Sequence, residues 1–179
     1  MMKLEKGLVQ VYTGNGKGKT TASIGLGIRA YGNGLKVIMI QFLKSGITGE
    51  LNVLNNLGEN FKVYRFEKEK DFTWNLTDEQ KEELKKEITE GFDFAKKVVK
   101  EDLCDMLILD EVMASVNGGY IKEDDVVKLI ENKPENMEIV LTGRNVPKSI
   151  ADKSDLITEM KDIKHYFNKG VPARKGIEF

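Results

Sequence analysis

The sequence lacks most of what a secreted, membrane-spanning or nucleic-acid-binding protein depends on. Its 179 residues contain one cysteine, Cys104, which excludes an intrachain disulfide and a multi-cysteine metal site. That residue is expected to pack in the core near the start of a strand. No apolar run approaches the length of a membrane span, and the N-terminus carries no secretory hydrophobic region. Neither charge is in excess: 28 basic against 29 acidic residues leave a net charge of -1, so there is no electrostatic footprint for nucleic acid. Internal repeats and low-complexity tracts are absent as well. What remains is 40% hydrophobic and 32% charged, the make-up of an ordinary globular protein. The length suits one domain with a full core, so residues 1–179 are expected to form a single domain in the cytoplasm, without a membrane contact.

The informative residues are concentrated at Tyr12-Thr13-Gly14-Asn15-Gly16-Lys17-Gly18-Lys19-Thr20-Thr21. An apolar run at 8–12 reads as a strand before it, and 22–31 reads as a helix after it. Strand, glycine-rich turn and helix together form the setting of a phosphate-binding loop. Glycines let successive backbone N–H groups converge on an anion, and the helix N-terminus adds partial positive charge. Lys17 and Lys19 can then meet phosphate oxygens, while the Thr20 hydroxyl can bind Mg²⁺. The loop departs from G-x-x-x-x-G-K-[ST] at one place. Thr13 stands where the first glycine would be, and Gly14 is expected to supply the turn instead.

Strand and helix patterns alternate along the rest of the chain. Residues 36–42, near-continuously apolar, read as a parallel strand covered on both faces. Residues 43–48 read as a loop, 49–57 as a short helix, and 61–66 as a third strand. A charged loop over 67–75 carries Phe72 and Trp74. Thr77-Asp78-Glu79-Gln80 has the form of a capping box. Leu84, Ile88, Phe92, Ala95 and Val99 then recur at helical spacing. Met106-Leu107-Ile108-Leu109-Asp110-Glu111 has the form of a Walker B strand, which brings an acid beside the phosphate loop. A helix over 121–131, a strand over 138–143, a short helix over 147–153 and a strand over 156–160 follow. Gly25 and Gly27, costly inside the first helix, are expected to permit close packing on the sheet.

The predicted fold class is therefore α/β: a P-loop NTPase-like parallel sheet with helices on both faces. Ligands on such sheets sit beyond the carboxyl ends of the strands. The phosphate loop, Asp110-Glu111, Thr142-Gly143-Arg144 and the loop after Phe66 are expected to share one crevice. MgATP-type binding there would use Gly14, Asn15, Gly16, Lys17, Gly18, Lys19, Thr20 and Thr21 around the phosphates, with Arg144 as a further contact. Thr20 with Glu111, or with Asp110, would hold the metal. Spacing does not choose between attack on phosphorus and attack on carbon.

Several segments together resemble the ATP:corrinoid adenosyltransferases of the CobA/CobO/BtuR type. They are the loop at 13–21, Gln41-Phe42-Leu43-Lys44, Phe72-Thr73-Trp74, Leu109-Asp110-Glu111, Thr142-Gly143-Arg144 and the closing segment from Lys164-His165-Tyr166 to Gly176-Ile177-Glu178-Phe179. They occur in the same order over nearly the whole chain, with residues 161–179 as the family's tail. The resemblance implies that a Co(I) corrinoid attacks the 5′ carbon of ATP and expels tripolyphosphate. It implies Lys19, Thr20 and Glu111 in catalysis, Phe72 and Trp74 beside the corrin, Mg²⁺ with ATP, a reductase such as a flavoprotein as partner, and a homodimer. Some members carry a longer segment ahead of the first strand that covers the site; here Met1 to Lys6 precede it. His165, the single histidine, is expected to be packed or hydrogen-bonded rather than catalytic.

Two other readings explain part of the pattern. A P-loop nucleoside kinase or NTPase accounts for the loop and the 106–111 strand but leaves Phe72-Thr73-Trp74 and the tail unassigned. A nucleotide-gated binding module or corrinoid chaperone would not need Lys19, Thr20 and Glu111 intact.

Overall fold

The apolar runs become parallel strands. The structure, a computed structural model, describes residues 3–44, 46, 48–68 and 75–179. Among them are β1 (Val9–Thr13), β2 (Val37–Gln41), β3 (Phe61–Tyr64), β4 (Met106–Asp110), β5 (Glu138–Thr142) and β6 (Leu156–Glu159). They form one sheet in the order β3-β2-β4-β5-β1-β6, and every pairing is parallel. The α/β sheet expected from the alternating pattern is what forms.

Burial explains the composition of each strand. All residues of β2, β4 and β5 are buried, which is why the middle of each strand reads as an apolar run. Alternate side chains feed two cores. Leu107, Leu109, Ile139 and Leu141 join one cluster with Leu84, Ile88 and Phe92, whereas Met106, Ile108 and Val140 join another with Ala30, Leu54 and Phe61. The helices behind the first cluster are α3 (Asp78–Lys100), α4 (Val112–Asn117), α5 (Glu123–Glu131) and α6 (Lys148–Ala151); behind the second lie α1 (Lys19–Gly32) and α2 (Gly49–Leu54). Edge strand β6 is exposed throughout.

Helix α3 begins at the expected capping box. The Gln80 N–H donates to Thr77 Oγ1 at 3.3 Å, and the Thr77 N–H donates back to Gln80 Oε1 at 2.9 Å. The whole predicted stripe from Leu84 to Val99 is buried. Burial of a side chain such as Ile88 or Phe92 contributes about 1.5–3 kcal/mol each. Cys104 is buried just before β4, as expected, and burial pushes its thiol up to about 12.

The two glycines of α1 divide. Gly27 is buried, and a Cβ there would lie 3.0 Å from Ile108 Cδ1 and 3.1 Å from Phe61 Cε2, tighter than ordinary contact, so the helix does pack closely on the sheet at this residue. Gly25 is exposed, and a Cβ there would meet nothing within 4 Å, which corrects the expectation that it too packs on the sheet.

Other differences are local. β3 stops at Tyr64 rather than 66, α2 stops at Leu54 rather than 57, and α5 starts at Glu123 rather than 121. Helix α4 carries no sequence signal of its own, because its six residues are too few to show a period; Val112, Met113 and Val116 are simply buried. The tail contains no long helix, only a 3₁₀ turn at Tyr166–Lys169. His165 caps that turn, its Nδ1 accepting the Phe167 N–H at 3.0 Å. No described helix is long and apolar enough to cross a membrane.

Candidate active site

The carboxyl ends of β1, β4 and β5 meet, and the polar residues of the crevice come from them. Thr13 is the last residue of β1, and Gly14 turns the chain at φ 96°. Only glycine serves there, because a Cβ would sit 2.4 Å from the Met160 carbonyl oxygen. The departure at Thr13 therefore moves the turn by one residue without removing it. The Gly16 N–H donates to Met160 O at 2.7 Å, which ties the loop to the chain leaving β6.

Lys19 opens α1 with its ammonium curled into the loop, donating to Gly14 O at 2.7 Å and Gly16 O at 2.8 Å. Burial lowers its pKa, Arg144 adds to the effect, and Glu111 and Asp110 oppose it. A lysine in these surroundings gains by meeting an anion. Lys17 points the other way. Its ammonium donates to Glu178 Oε1 at 2.8 Å, Ile177 O at 3.0 Å and Tyr166 Oη at 3.3 Å, all in the tail. Asn15 and Thr21 are exposed.

Asp110 ends β4 with no solvent exposure. Its Oδ1 accepts from Thr20 Oγ1 at 2.9 Å and Thr142 Oγ1 at 2.7 Å, and its Oδ2 from Gln41 Nε2 at 3.0 Å and Lys44 Nζ at 2.6 Å. The carboxylate beside Thr20 is therefore that of Asp110. The next residue, Glu111, adopts φ 61°, a conformation uncommon outside glycine and frequent at functional sites. Its N–H donates to Thr142 Oγ1 at 2.8 Å. Burial pushes its carboxyl pKa up, and Asp110 adds to the rise; Lys44, Lys19 and Arg144 pull it back. Arg144 is exposed at the mouth of the crevice, its charge felt by both Lys19 and Glu111.

Phe72 and Trp74 lie outside the described residues, so most of the loop after Phe66 does too. The other three segments expected in the crevice do converge. Sequence reasoning gave no site role to Gln41, Lys44 or Arg65. Arg65 Nε donates to Gln41 Oε1 at 2.8 Å and so fixes the amide that meets Asp110. The available signal was a polar residue ending each buried strand: Gln41, Asp110 and Thr142.

The donor set suits a nucleotide-borne divalent cation. Such an ion takes one or two protein oxygens and completes its shell with phosphates and water. A hydroxyl and a carboxylate 2.9 Å apart, with the Lys44 ammonium already against both, offer a place that holds positive charge. Among the described residues no group of three His, Cys, Asp or Glu could hold a metal by itself.

The profile of the family described as ATP:corrinoid adenosyltransferase BtuR/CobO/CobP matches residues 5–179. The chain belongs to that family. Its relatives include "Corrinoid adenosyltransferase" of Escherichia coli (strain K12), 35% identical over 98% of this chain and 87% of that protein. "Corrinoid adenosyltransferase CobA" of Salmonella typhimurium (strain LT2) is 34% identical over the same shares, 98% and 87%. A "Corrinoid adenosyltransferase" of a Sinorhizobium species is 35% identical over 98% of this chain and 81% of its own length. In this adenosyltransferase-family chain, Lys19, Thr20 and Asp110 line the crevice at the carboxyl edge of the sheet.

Proposed function

We propose that this chain transfers the 5′-deoxyadenosyl group of MgATP to the Co(I) centre of a reduced corrinoid, forming adenosylcobalamin or a precursor. The observation that carries the reading is the placement, in a chain of this family, of Lys19 and the Thr20–Asp110 pair at the carboxyl edge of the sheet beside a glycine turn. Membership in the family disfavours the kinase and binding-module alternatives. The 179 residues act as one domain in this reading.

The chemistry assigns work to each group. The lone pair of Co(I) attacks C5′, the C5′–O bond breaks, and tripolyphosphate leaves with its electron pair; cobalt is formally oxidised to Co(III). No general base is needed, because the metal centre of the substrate is the nucleophile. The difficulty is a leaving group that accumulates negative charge. Lys19, Arg144 and the free backbone N–H groups of the loop would meet it, and Lys17 would have to leave Glu178 to join them; donors fixed in advance stabilise developing charge. Thr20 and Asp110, with Glu111 adjacent, would hold Mg²⁺, which when bound neutralises phosphate oxygens as a Lewis acid. Lys19 must leave the carbonyls of Gly14 and Gly16 to reach a phosphate, and exchanging neutral acceptors for an anion favours that move.

The finer parts of the reading rest on family resemblance. Phe72 and Trp74 are proposed to stand beside the corrin, exclude water and displace a lower axial ligand from Co(II). A reductase, such as a flavoprotein, would supply the electron. A homodimer in the cytoplasm is the proposed working form.

Incubating the protein with MgATP and chemically reduced cob(I)alamin tests the reading. A light-sensitive Co–C absorption that requires both protein and ATP is expected. Release of ADP without that absorption would replace the reading with a phosphotransferase or NTPase.

A further inference from the structure

Lys44 lies three residues beyond the end of β2 and takes no part in the transfer scheme. Its side chain is 23% exposed, so the stem has a route to the open crevice. Its ammonium lies 2.6 Å from Asp110 Oδ2 and 3.0 Å from Thr20 Oγ1, and those two side chains are 2.9 Å from one another at Thr20 Oγ1 and Asp110 Oδ1. The remaining donors to Asp110, from Thr142 and Gln41, are neutral. The ammonium thus completes a triangle with a hydroxyl and a buried carboxylate, the two protein groups a phosphate-bound divalent cation would take.

The backbone is bent to bring it there. Leu43 has φ 54°, a left-handed turn in a non-glycine residue, and its N–H is held by Glu67 Oε1 at 3.1 Å. Arg65 fixes Gln41 from the other side. A lysine suits a position that must be vacated, since its charge sits on a flexible four-carbon stem and makes no bidentate fork.

We propose that Lys44 is an exchangeable internal cation for the metal position: its ammonium neutralises Asp110 before nucleotide arrives, then yields Thr20 and Asp110 to the divalent ion and turns to the triphosphate. The proposal rests on the reading of this crevice as a metal–triphosphate site. Two cations cannot both hold the Asp110 carboxylate and the Thr20 hydroxyl at contact distance without strong repulsion. A divalent ion alone therefore has to displace the lysine with nothing to receive it. An ion carried by ATP brings the anion that the displaced ammonium can meet. Lys44 would in this way make metal binding conditional on nucleotide.

Mn²⁺ binding, read from the loss of the free-ion EPR signal, tests this without adenosyl transfer. Wild type, Lys44→Met and Lys44→Gln are titrated with Mn²⁺ in the absence and presence of ATP, after circular dichroism and melting establish which variants fold. Without nucleotide, Lys44→Met is expected to bind Mn²⁺ about tenfold more tightly than wild type, the size of an ordinary coupling between sites. Lys44→Gln gives the same gain if Lys44→Met does not fold, and adding Asp110→Asn removes it. With ATP present, either Lys44 variant loses the extra contact and binds Mn–ATP more weakly than wild type. A folded Lys44 variant that binds free Mn²⁺ no better than wild type, while wild type binds Mn–ATP, overturns the proposal and leaves the site reading standing. Wild type that binds no Mn–ATP overturns both.

Discussion

Lys17 and Glu178 are 161 residues apart in the chain and 2.8 Å apart in space, the ammonium of the phosphate loop against a carboxylate of the tail. Glu178 also accepts from the Tyr166 hydroxyl and, at 2.7 Å, from the Arg174 N–H. The Lys17 ammonium holds the Glu178 carboxyl far below the usual carboxylate range, with Tyr166 and Arg174 adding to the effect. Because this pKa is depressed in the folded state, the stabilisation is at full strength above the ordinary glutamate value of about 4.3, declines below it, and is gone only once pH passes the much lower folded-state value. The tail should stay docked from pH 7 down to that value and release in stronger acid. Glu178→Gln should release it at pH 7, seen as faster carboxypeptidase removal of the last residues. Lys17 is exposed and Glu178 half-buried, so high salt should act in the same direction as the substitution, more weakly.

Asp110 is central to the network at the end of β4. Asp110→Asn keeps its shape but removes its charge, and kcat/KM should fall by at least about 100-fold, the scale of losing one well-placed electrostatic group. Asp110→Ala should also unfold more readily, by about 1–3 kcal/mol, because the buried Gln41 amide and Thr142 hydroxyl lose their acceptor. Steady-state kinetics on the first variant and urea unfolding of the second check these expectations.

Helix α1 offers a paired test of packing. Gly25→Ala meets open space in an exposed position, so lower unfolded-state entropy should stabilise the protein by about 0.4–1 kcal/mol. Gly27→Ala drives a methyl group into Ile108 and Phe61 and should destabilise it by about 1–3 kcal/mol. Opposite shifts in the urea midpoint at unchanged slope are the expected result.

These residues also mark what could be read from the sequence. The parallel sheet was legible because β2, β4 and β5 are buried on both faces and admit almost only apolar residues until their last position. The capping box before α3 was legible because it is local, two side chains three residues apart. The turn between β1 and α1 was legible because a strand pattern, a glycine run and a helix pattern follow one another there. The partner of Thr20 was not, because Asp110 and Glu111 are adjacent in sequence and only the strand's exit and the φ of Glu111 decide which carboxylate meets the hydroxyl. Lys44 stood out only as part of the Gln41–Lys44 segment of the family resemblance, with no role attached, since its contacts are to residues 24 and 66 positions away. Gly25 and Gly27 looked alike because nothing local distinguishes the exposed side of α1 from the side against Phe61.

In the proposed reaction this crevice grips the triphosphate as a leaving group while a cobalt nucleophile takes the sugar carbon. Phosphorus NMR of a reaction containing the protein, MgATP and pre-reduced Co(I) corrinoid reads the fate of that group directly. Tripolyphosphate should appear in step with formation of the Co–C bond, and none should appear when the corrinoid is left out. ADP and inorganic phosphate as the products, formed at the same rate with or without corrinoid, would contradict this proposal.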